Sequence, residues 1–428
     1  MSGMKILRTQ REIEAFLARL RKRGAGVSPE ILGQTGAIVE AVRKGGDKAL
    51  LRYTRKFDGH GRLRLPRTVI EQEAEKTPRA VVRALTVAAG RIRKFHRLQR
   101  EGSWSVKEAG ITLGQRITPL GRVGVYVPGG RASYPSTVLM NVIPAQVAGV
   151  REIALTVPTP GGETSPALMA ALRLLKMKEV YSVGGAQAVA ALAYGTESIP
   201  PVDKIVGPGN VYVAAAKRMV FGTVDIDMIA GPSEILIIAD ASAEPRYAAA
   251  DLLSQAEHDE LASPVLLTDS GELARAVREE VRRQLRALAR KDIARSSLRN
   301  YGAIIMVPDL MAAAALANRI APEHLEVMTT RPRALLASLR NAGAVFLGPW
   351  TPEPVGDYAA GPNHTLPTGG TARWASPLGV YDFLKRTSVL EFTKQGFLSL
   401  AQTVQTVADV EGLEAHGNSI RVRRGDSA

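Results

Sequence analysis

Cysteine is missing from this chain of 428 residues, so neither a disulfide, nor a thiolate metal ligand, nor a thiol nucleophile belongs to its chemistry. Aromatic residues make up 5%, and they do not alternate with basic ones as a base-stacking platform for single strands requires. Nowhere does an apolar run approach the roughly 18 to 20 residues that span a bilayer. The amino-terminal stretch MSGMKILRTQREIEAFLARLRKRG is basic and helical in pattern. It lacks the apolar core of a signal peptide and carries Glu12 and Glu14, which a transit peptide avoids. A cytoplasmic protein with no membrane contact is expected.

The chain has an apolar fraction of 45% and a net charge of +15. The first allows a sizeable core in two to four domains. The second raises the question of nucleic acid. The basic residues are dispersed, however: Arg21 to Arg23, Arg91 to Lys94, Arg282 to Arg290, Arg421 to Arg424. Solvated helix faces explain them, and no nucleic-acid partner is expected.

Up to about Gln99 the periodicity is helical, over 12–23, 29–44, 47–57 and 67–98. From Gly121 to Asp240, β-branched runs alternate with glycine turns and alanine-rich helices. That grammar predicts a parallel sheet with right-handed crossovers, an architecture that binds ligands at the carboxyl ends of its strands. A second α/β set follows between Ser233 and Leu347. Residues 351–375 are rich in Gly and Pro, as functional loops often are, and the last fifty residues read as helices.

Four of the six histidines stand in short clusters beside carboxylates or amides. Gln255 and His258, at i and i+3, share one face of a helix and can grip one ion. Asp357, in a Gly-Asp-Tyr loop, and His416, near the end, are further donors. Four nitrogen and oxygen donors suit zinc, with manganese or cobalt also compatible. Glu323 and His324 follow a proline; the imidazole is suited to take a hydroxyl proton and the carboxylate to activate water. A structural alternative has His324 capping a helix or pairing with Glu326. Glycine turns at 127–130, 183–187 and 206–210 each follow a strand, so their N–H groups are candidates to cradle a phosphate. None completes the dinucleotide fingerprint.

Seven segments in order, GRVGVYVPGG (121–130), KIVGPGNVYVAAAK (204–217), DMIAGPSEILIIAD (227–240), LLSQAEHD (252–259), APEHLE (321–326), GDYAAGPNHTLPTGGTAR (356–373) and EGLEAHGNSI (411–420), resemble the signature segments of the histidinol dehydrogenase family. The resemblance implies an interlocked homodimer with shared active sites, which uses zinc and two NAD⁺ to oxidise L-histidinol through the aldehyde to L-histidine. It implies zinc on Gln255, His258 and Asp357, with His416 contributed by the partner. Glu323 and His324 would be the catalytic pair, and NAD would contact Tyr126, Gln187 and Asn210. Substrate contacts would fall on Ser233, Glu353, His364 and Glu411, besides His324 and the four zinc ligands.

The implied architecture is α/β: two Rossmann-like lobes with parallel-sheet cores plus helical arms at both ends. The arms are 1–25 and 379–428, the larger lobe 26–125 with 235–378, and the smaller inserted lobe 126–234. Aldehyde oxidation needs a tetrahedral adduct that can expel hydride. Without cysteine, the hydrated aldehyde is the simple route, with Glu323 as the base for water and His324 for the alcohol. Dehydrogenases of other primary alcohols, such as sulfonated diols, and metal-dependent hydrolases are the competing readings.

Overall fold

The computed structural model describes residues 4–24, 28–129 and 134–425, so Gly130 of the first glycine turn lies outside the described residues. The chain forms two compact units, one of Met1–Gln99 with Gly121–Phe383 and one of Arg100–Leu120 with Leu384–Ala428. Strand β1 (Lys5–Leu7) belongs to the first, β2 (Trp104–Glu108) and β3 (Ile111–Pro119) to the second. Next come β4 (Arg122–Tyr126), β5 (Glu152–Thr156), β6 (Glu179–Tyr181), β7 (Lys204–Val206) and β8 (Asp225–Ile226). They form a parallel sheet in the order β6-β5-β4-β7-β8. After it, β9 (Glu234–Ala239), β10 (Ser263–Thr268), β11 (Ala303–Met306), β12 (His324–Met328) and β13 (Ala344–Leu347) join β1. Their order is β1-β11-β10-β9-β12-β13, again parallel throughout.

Apart from the edge strand β1, both sheets start at a central strand, build outward on one side and then return to the other. Each therefore has a switch point, between β4 and β7 in one sheet and between β9 and β12 in the other. The expected two parallel-sheet cores are present in this doubly repeated order.

Strand β9 reads EILIIA and is buried along its whole length, as a strand covered on both faces must be. The pleat sends Ile235, Ile237 and Ala239 into one apolar layer with the helices Pro245–Ala256 and Gly271–Leu285. Leu236 and Ile238 go into the opposite layer, with Gln10–Gly24 and Leu310–Ile320. Helices Pro29–Asp58, Arg67–Glu75 and Arg79–Arg97, which the sequence reading placed with the larger lobe, pack on helices of the five-stranded sheet. The first of them is broken at Gly46, whose φ of 48° separates the two expected helices. The single helix expected over 67–98 is two, because Pro78 has no N–H to donate and starts a new helix.

In the second unit β14 (Leu384–Phe392) pairs antiparallel with β3, and β3 with β2. Helices Lys394–Val410 and Glu414–Arg424 follow. Part of the tail expected to be helical is thus a strand. Its nine residues are almost all exposed, so no one-sided apolar alternation marks it. Among the described residues no helix is long and apolar enough to cross a membrane.

Candidate active site

Strand β12 lies between β9 and β13, with His324 opposite Ile235 and Ala344. Glu323 and His324 thus stand at the amino end of a central strand, side by side with Glu234 at the amino end of β9. This differs from the carboxyl-end placement expected for ligands. The short link 227–233 runs from β8 straight into β9, so the catalytic candidates occupy the edge where the six-stranded sheet begins. Residues at the carboxyl edge of the five-stranded sheet are a different set.

The pair at the head of β12 is tightly held. Glu323 Oε2 accepts the Glu234 N–H at 2.9 Å, and the Glu323 N–H donates to Glu234 Oε2 at 3.3 Å. His324 Nδ1 lies 2.9 Å from the Glu234 carbonyl oxygen. An N–H there donates to the carbonyl and leaves the Nε2 lone pair pointing elsewhere. Nε2 is buried, has no hydrogen-bond partner and lies 3.5 Å from Asp357 Oδ1.

Asp357 sits in the irregular turn Gly356–Ala360, which follows the short helix Glu353–Val355. His324, Glu353 and Asp357 bring one potential ligand atom each to within 4.8 Å of one another. Glu353 is buried; its N–H donates to Glu326 Oε1 at 2.7 Å, and its Oε2 accepts from Ser254 Oγ at 3.3 Å. His364 places Nδ1 3.1 Å from the Asp357 carbonyl oxygen.

So much carboxylate around one imidazole distorts every proton affinity in the cluster. Burial alone would lower His324, but the charges of Glu323 and Asp357 outweigh it and raise the ring to about 10. Burial raises Glu323 to about 7, with His324 opposing. Burial, reinforced by Asp357, lifts Glu353 to about 8. Burial would raise Asp357 as well, yet the close approach and charge of the His324 ring hold that carboxyl well below its ordinary range. The cluster is short of positive charge, and without another cation a proton on His324 supplies it. A divalent ion on Asp357 would replace that proton and return the imidazole to its neutral, basic form.

Gln255 supplies a second reason to place a cation here. It lies in the last turn of the helix Pro245–Ala256, is 1% exposed, and its Oε1 has no hydrogen-bond partner. A buried amide oxygen is costly when unpaired and is a competent oxygen donor to an ion. The His258 N–H donates to the Gln255 carbonyl at 3.2 Å, which continues the turn, and the His258 ring feels the charges of Asp357 and His324. His258, His324, Glu353, Asp357 and His364 thus belong to one neighbourhood of the first unit, and Gln255 precedes His258 by one helical turn. Ser233 immediately precedes β9. Glu411 and His416, both exposed, belong to the second unit, beside and on its last helix.

The dinucleotide candidates lie at the carboxyl edge of the five-stranded sheet, around its switch point. Tyr126 ends β4, Gln187 is in the first turn of the helix Gly185–Tyr194, and Asn210 precedes the helix Val211–Val220. The loops there are internally bonded. Asn210 Oδ1 accepts from the N–H groups of Tyr212 and Val213, each at 3.1 Å. The Gly207 N–H donates to Asp227 Oδ2 at 2.7 Å, and the Gly185 N–H to the Tyr126 hydroxyl at 3.1 Å. These donors serve the turns themselves, which limits what the glycine loops offer a phosphate. Gly207 has φ 110°, and a Cβ on it would meet the Tyr126 carbonyl oxygen at 2.1 Å. Only glycine fits there.

Four charged residues lie behind the site, Arg23, Glu234, Asp251 and Glu326, and sequence reasoning gave none of them a role there beyond a pairing of Glu326 with His324. All except Arg23 are buried, and the side chain of Arg23 is 1% exposed. Glu234 and Glu326 interrupt the apolar strands SEILIIA and HLEVM. A carboxylate inside such a run is seldom tolerated unless something holds it, and that was the available signal.

The repeated strand order and the buried cluster of carboxylates and imidazoles mark an α/β enzyme. The sequence profile of the histidinol dehydrogenase family matches residues 21–424. The histidinol dehydrogenase of Aquifex aeolicus (strain VF5) is 54% identical over 414 residues, covering 96% of each chain. That of Syntrophotalea carbinolica is 54% identical over 405 residues, covering 93% of this chain and 94% of the other. The crystal structure of histidinol dehydrogenase from Elizabethkingia anophelis superposes with a TM-score of 0.94 at 35% identity, over 99% of both chains. The chain belongs to the histidinol dehydrogenase family and is an oxidoreductase.

Proposed function

We propose that the protein oxidises L-histidinol through L-histidinal to L-histidine, the last step of histidine biosynthesis, consuming two NAD⁺ and one water. Family membership supports the substrate, and the observation that carries the chemistry is the Glu323–His324 pair at the head of β12, with Asp357 beside His324 Nε2. His324 Nε2 takes the hydroxyl proton in the alcohol step. Glu323 takes a proton from water to hydrate the aldehyde, the route left to a chain without cysteine.

Gln255, His258, Asp357 and the partner subunit's His416 would hold zinc; the orphaned Gln255 Oε1 and the local deficit of positive charge favour it. Zinc, when bound, supplies a positive charge that orients the substrate's amine and imidazole nitrogens. Ser233, Glu353, His364 and Glu411 would complete the substrate contacts. Tyr126, Gln187 and Asn210 would line the NAD site at the switch point of the five-stranded sheet, and NAD supplies the hydride acceptor for both oxidations. An interlocked homodimer in the cytoplasm completes the reading. The exposed apolar side chains of the second unit, among them Trp104, Leu390, Val404, Val407 and Val410, give it a surface to bury.

The test is incubation of the zinc-loaded protein with histidinol and NAD⁺, following reduced nicotinamide and histidine. Two reduced nicotinamides per histidine are expected. A hydrolase yields none, and a dehydrogenase of another alcohol leaves histidinol untouched.

A further inference from the structure

Arg23 and Glu234 make an ion pair with side chains only 1% and 9% exposed. The guanidinium, at the end of the helix Gln10–Gly24, also donates to the Leu261 carbonyl at 2.7 Å and lies over the Tyr301 ring, 5.6 Å from its centroid. Burying such a pair contributes little net stability compared with apolar residues of similar volume. What the pair secures is therefore the informative question.

Glu234 touches the acid–base pair at every polar atom that it owns except Oε1. Its N–H donates to Glu323 Oε2 at 2.9 Å, its Oε2 accepts the Glu323 N–H at 3.3 Å, and its carbonyl accepts from His324 Nδ1 at 2.9 Å. Oε1 is taken by Arg23 and by the Gly369 N–H, the latter at 3.2 Å. Backbone groups of Glu234 thus orient the imidazole and one Glu323 oxygen, while its side chain ties the Glu323 backbone to Arg23.

We propose that Arg23 and Glu234 are positioning residues for Glu323 and His324. This rests on the function proposed above. Arg23 holds the Glu234 carboxyl in one rotamer, and that carboxyl fixes the Glu323 backbone at the angle its side chain needs for water. The Glu234 carbonyl selects the His324 tautomer with the proton on Nδ1. A change confined to the Glu234 side chain leaves that carbonyl in place, so it acts on the Glu323 step more than on the His324 step.

The experiment uses zinc-loaded wild type, Glu234→Gln, Arg23→Met and Arg23→Lys, each supplied with NAD⁺ and either histidinol in a single turnover to the aldehyde or histidinal directly. In Glu234→Gln and Arg23→Met, kcat on histidinal is expected to fall about 10- to 100-fold, the range typical of a lost supporting contact. The alcohol step stays within about threefold, KM for NAD⁺ within about twofold and zinc content unchanged, while Arg23→Lys recovers part of the loss. Equal losses in both steps, losses that track zinc content, or unchanged kcat on histidinal would overturn the proposal. Should Glu234→Gln not fold, Arg23→Met and Arg23→Lys are read by the same criteria. Wild-type protein that reduces no NAD⁺ with either substrate overturns the parent reading and this one together; active wild type with indifferent variants overturns this one alone.

Discussion

Glu326 Oε1 accepts the backbone N–H of Glu353 at 2.7 Å, so a carboxylate within a central strand anchors the turn that carries Glu353 and Asp357. Glu326 is 1% exposed, and burial together with Asp251 lifts its carboxyl well above the ordinary range. Burial raises Asp251 to about 6 while Glu326 hydrogen-bonds to it. Two buried carboxyls in contact are stable together only with a shared proton.

Glu326→Gln keeps an acceptor for the Glu353 N–H and a donor for Asp251, and should cost about 1 kcal/mol or less. Glu326→Ala leaves both partners unpaired beside a cavity and should cost about 3 kcal/mol. Urea midpoints at constant m-value measure the difference. Similar losses for the two variants would show that the carboxyl hydrogen bonds contribute nothing to stability.

Gly207→Ala forces a side chain onto φ 110° and against the Tyr126 carbonyl. We expect at least about 2 kcal/mol of destabilisation. Because the same turn leads to Asn210, KM for NAD⁺ should rise more than KM for histidinol. Initial rates with each substrate varied in turn, beside a thermal melt, check both.

Zinc should stabilise the native protein by mass action, about 2.7 kcal/mol at a free concentration 100 times Kd. Gln255→Ala and Asp357→Ala should lose most of that gain, as should a chain cut after Gln402, which lacks Glu411 and His416. Melts with and without chelator, paired with metal analysis, give the answer. A cut chain that keeps full zinc content would contradict the role assigned to the partner's His416.

His96 is fully buried, with Nδ1 2.8 Å from the Ile92 carbonyl oxygen, and burial lowers its pKa below the ordinary 6.5. The unfolded chain binds this proton more readily than the native one. Its contribution is therefore complete above pH about 6.5 and declines as pH falls from there toward the native pKa. His96→Phe, which cannot titrate, should show a shallower loss of stability as pH falls below about 6.5. Denaturation at several pH values supplies the slopes.

Much of the parallel architecture was legible because both sheets are covered on two faces, so their strands are mainly apolar runs between glycine turns. Strand Lys204–Val206, helix Val211–Val220 and strand Ala344–Leu347 fall within the two stretches read as α/β from the sequence. What escaped lacks that signal. Strand β1 has three residues within a basic stretch that looks helical, and gains its place only by pairing with Ala303–Ile305. Helix Lys291–Tyr301 was also missed. At the site, Glu323, His324 and Asp357 stood out as side chains with chemistry. Their supports did not, because a backbone N–H meeting a carboxylate from 27 residues earlier, as Glu353 meets Glu326, leaves no local pattern.

The passage from the end of β8 directly to the start of β9 gives the two sheets opposite duties at their shared margin. On the function proposed here, coenzyme preference would drift through insertions or exchanges in the loops after β4, β6 and β7, since those loops carry none of the proton-handling groups. The machinery rooted in β9 and β12 has no such latitude, for a slip of one residue there would turn His324 and Glu326 to the other face together.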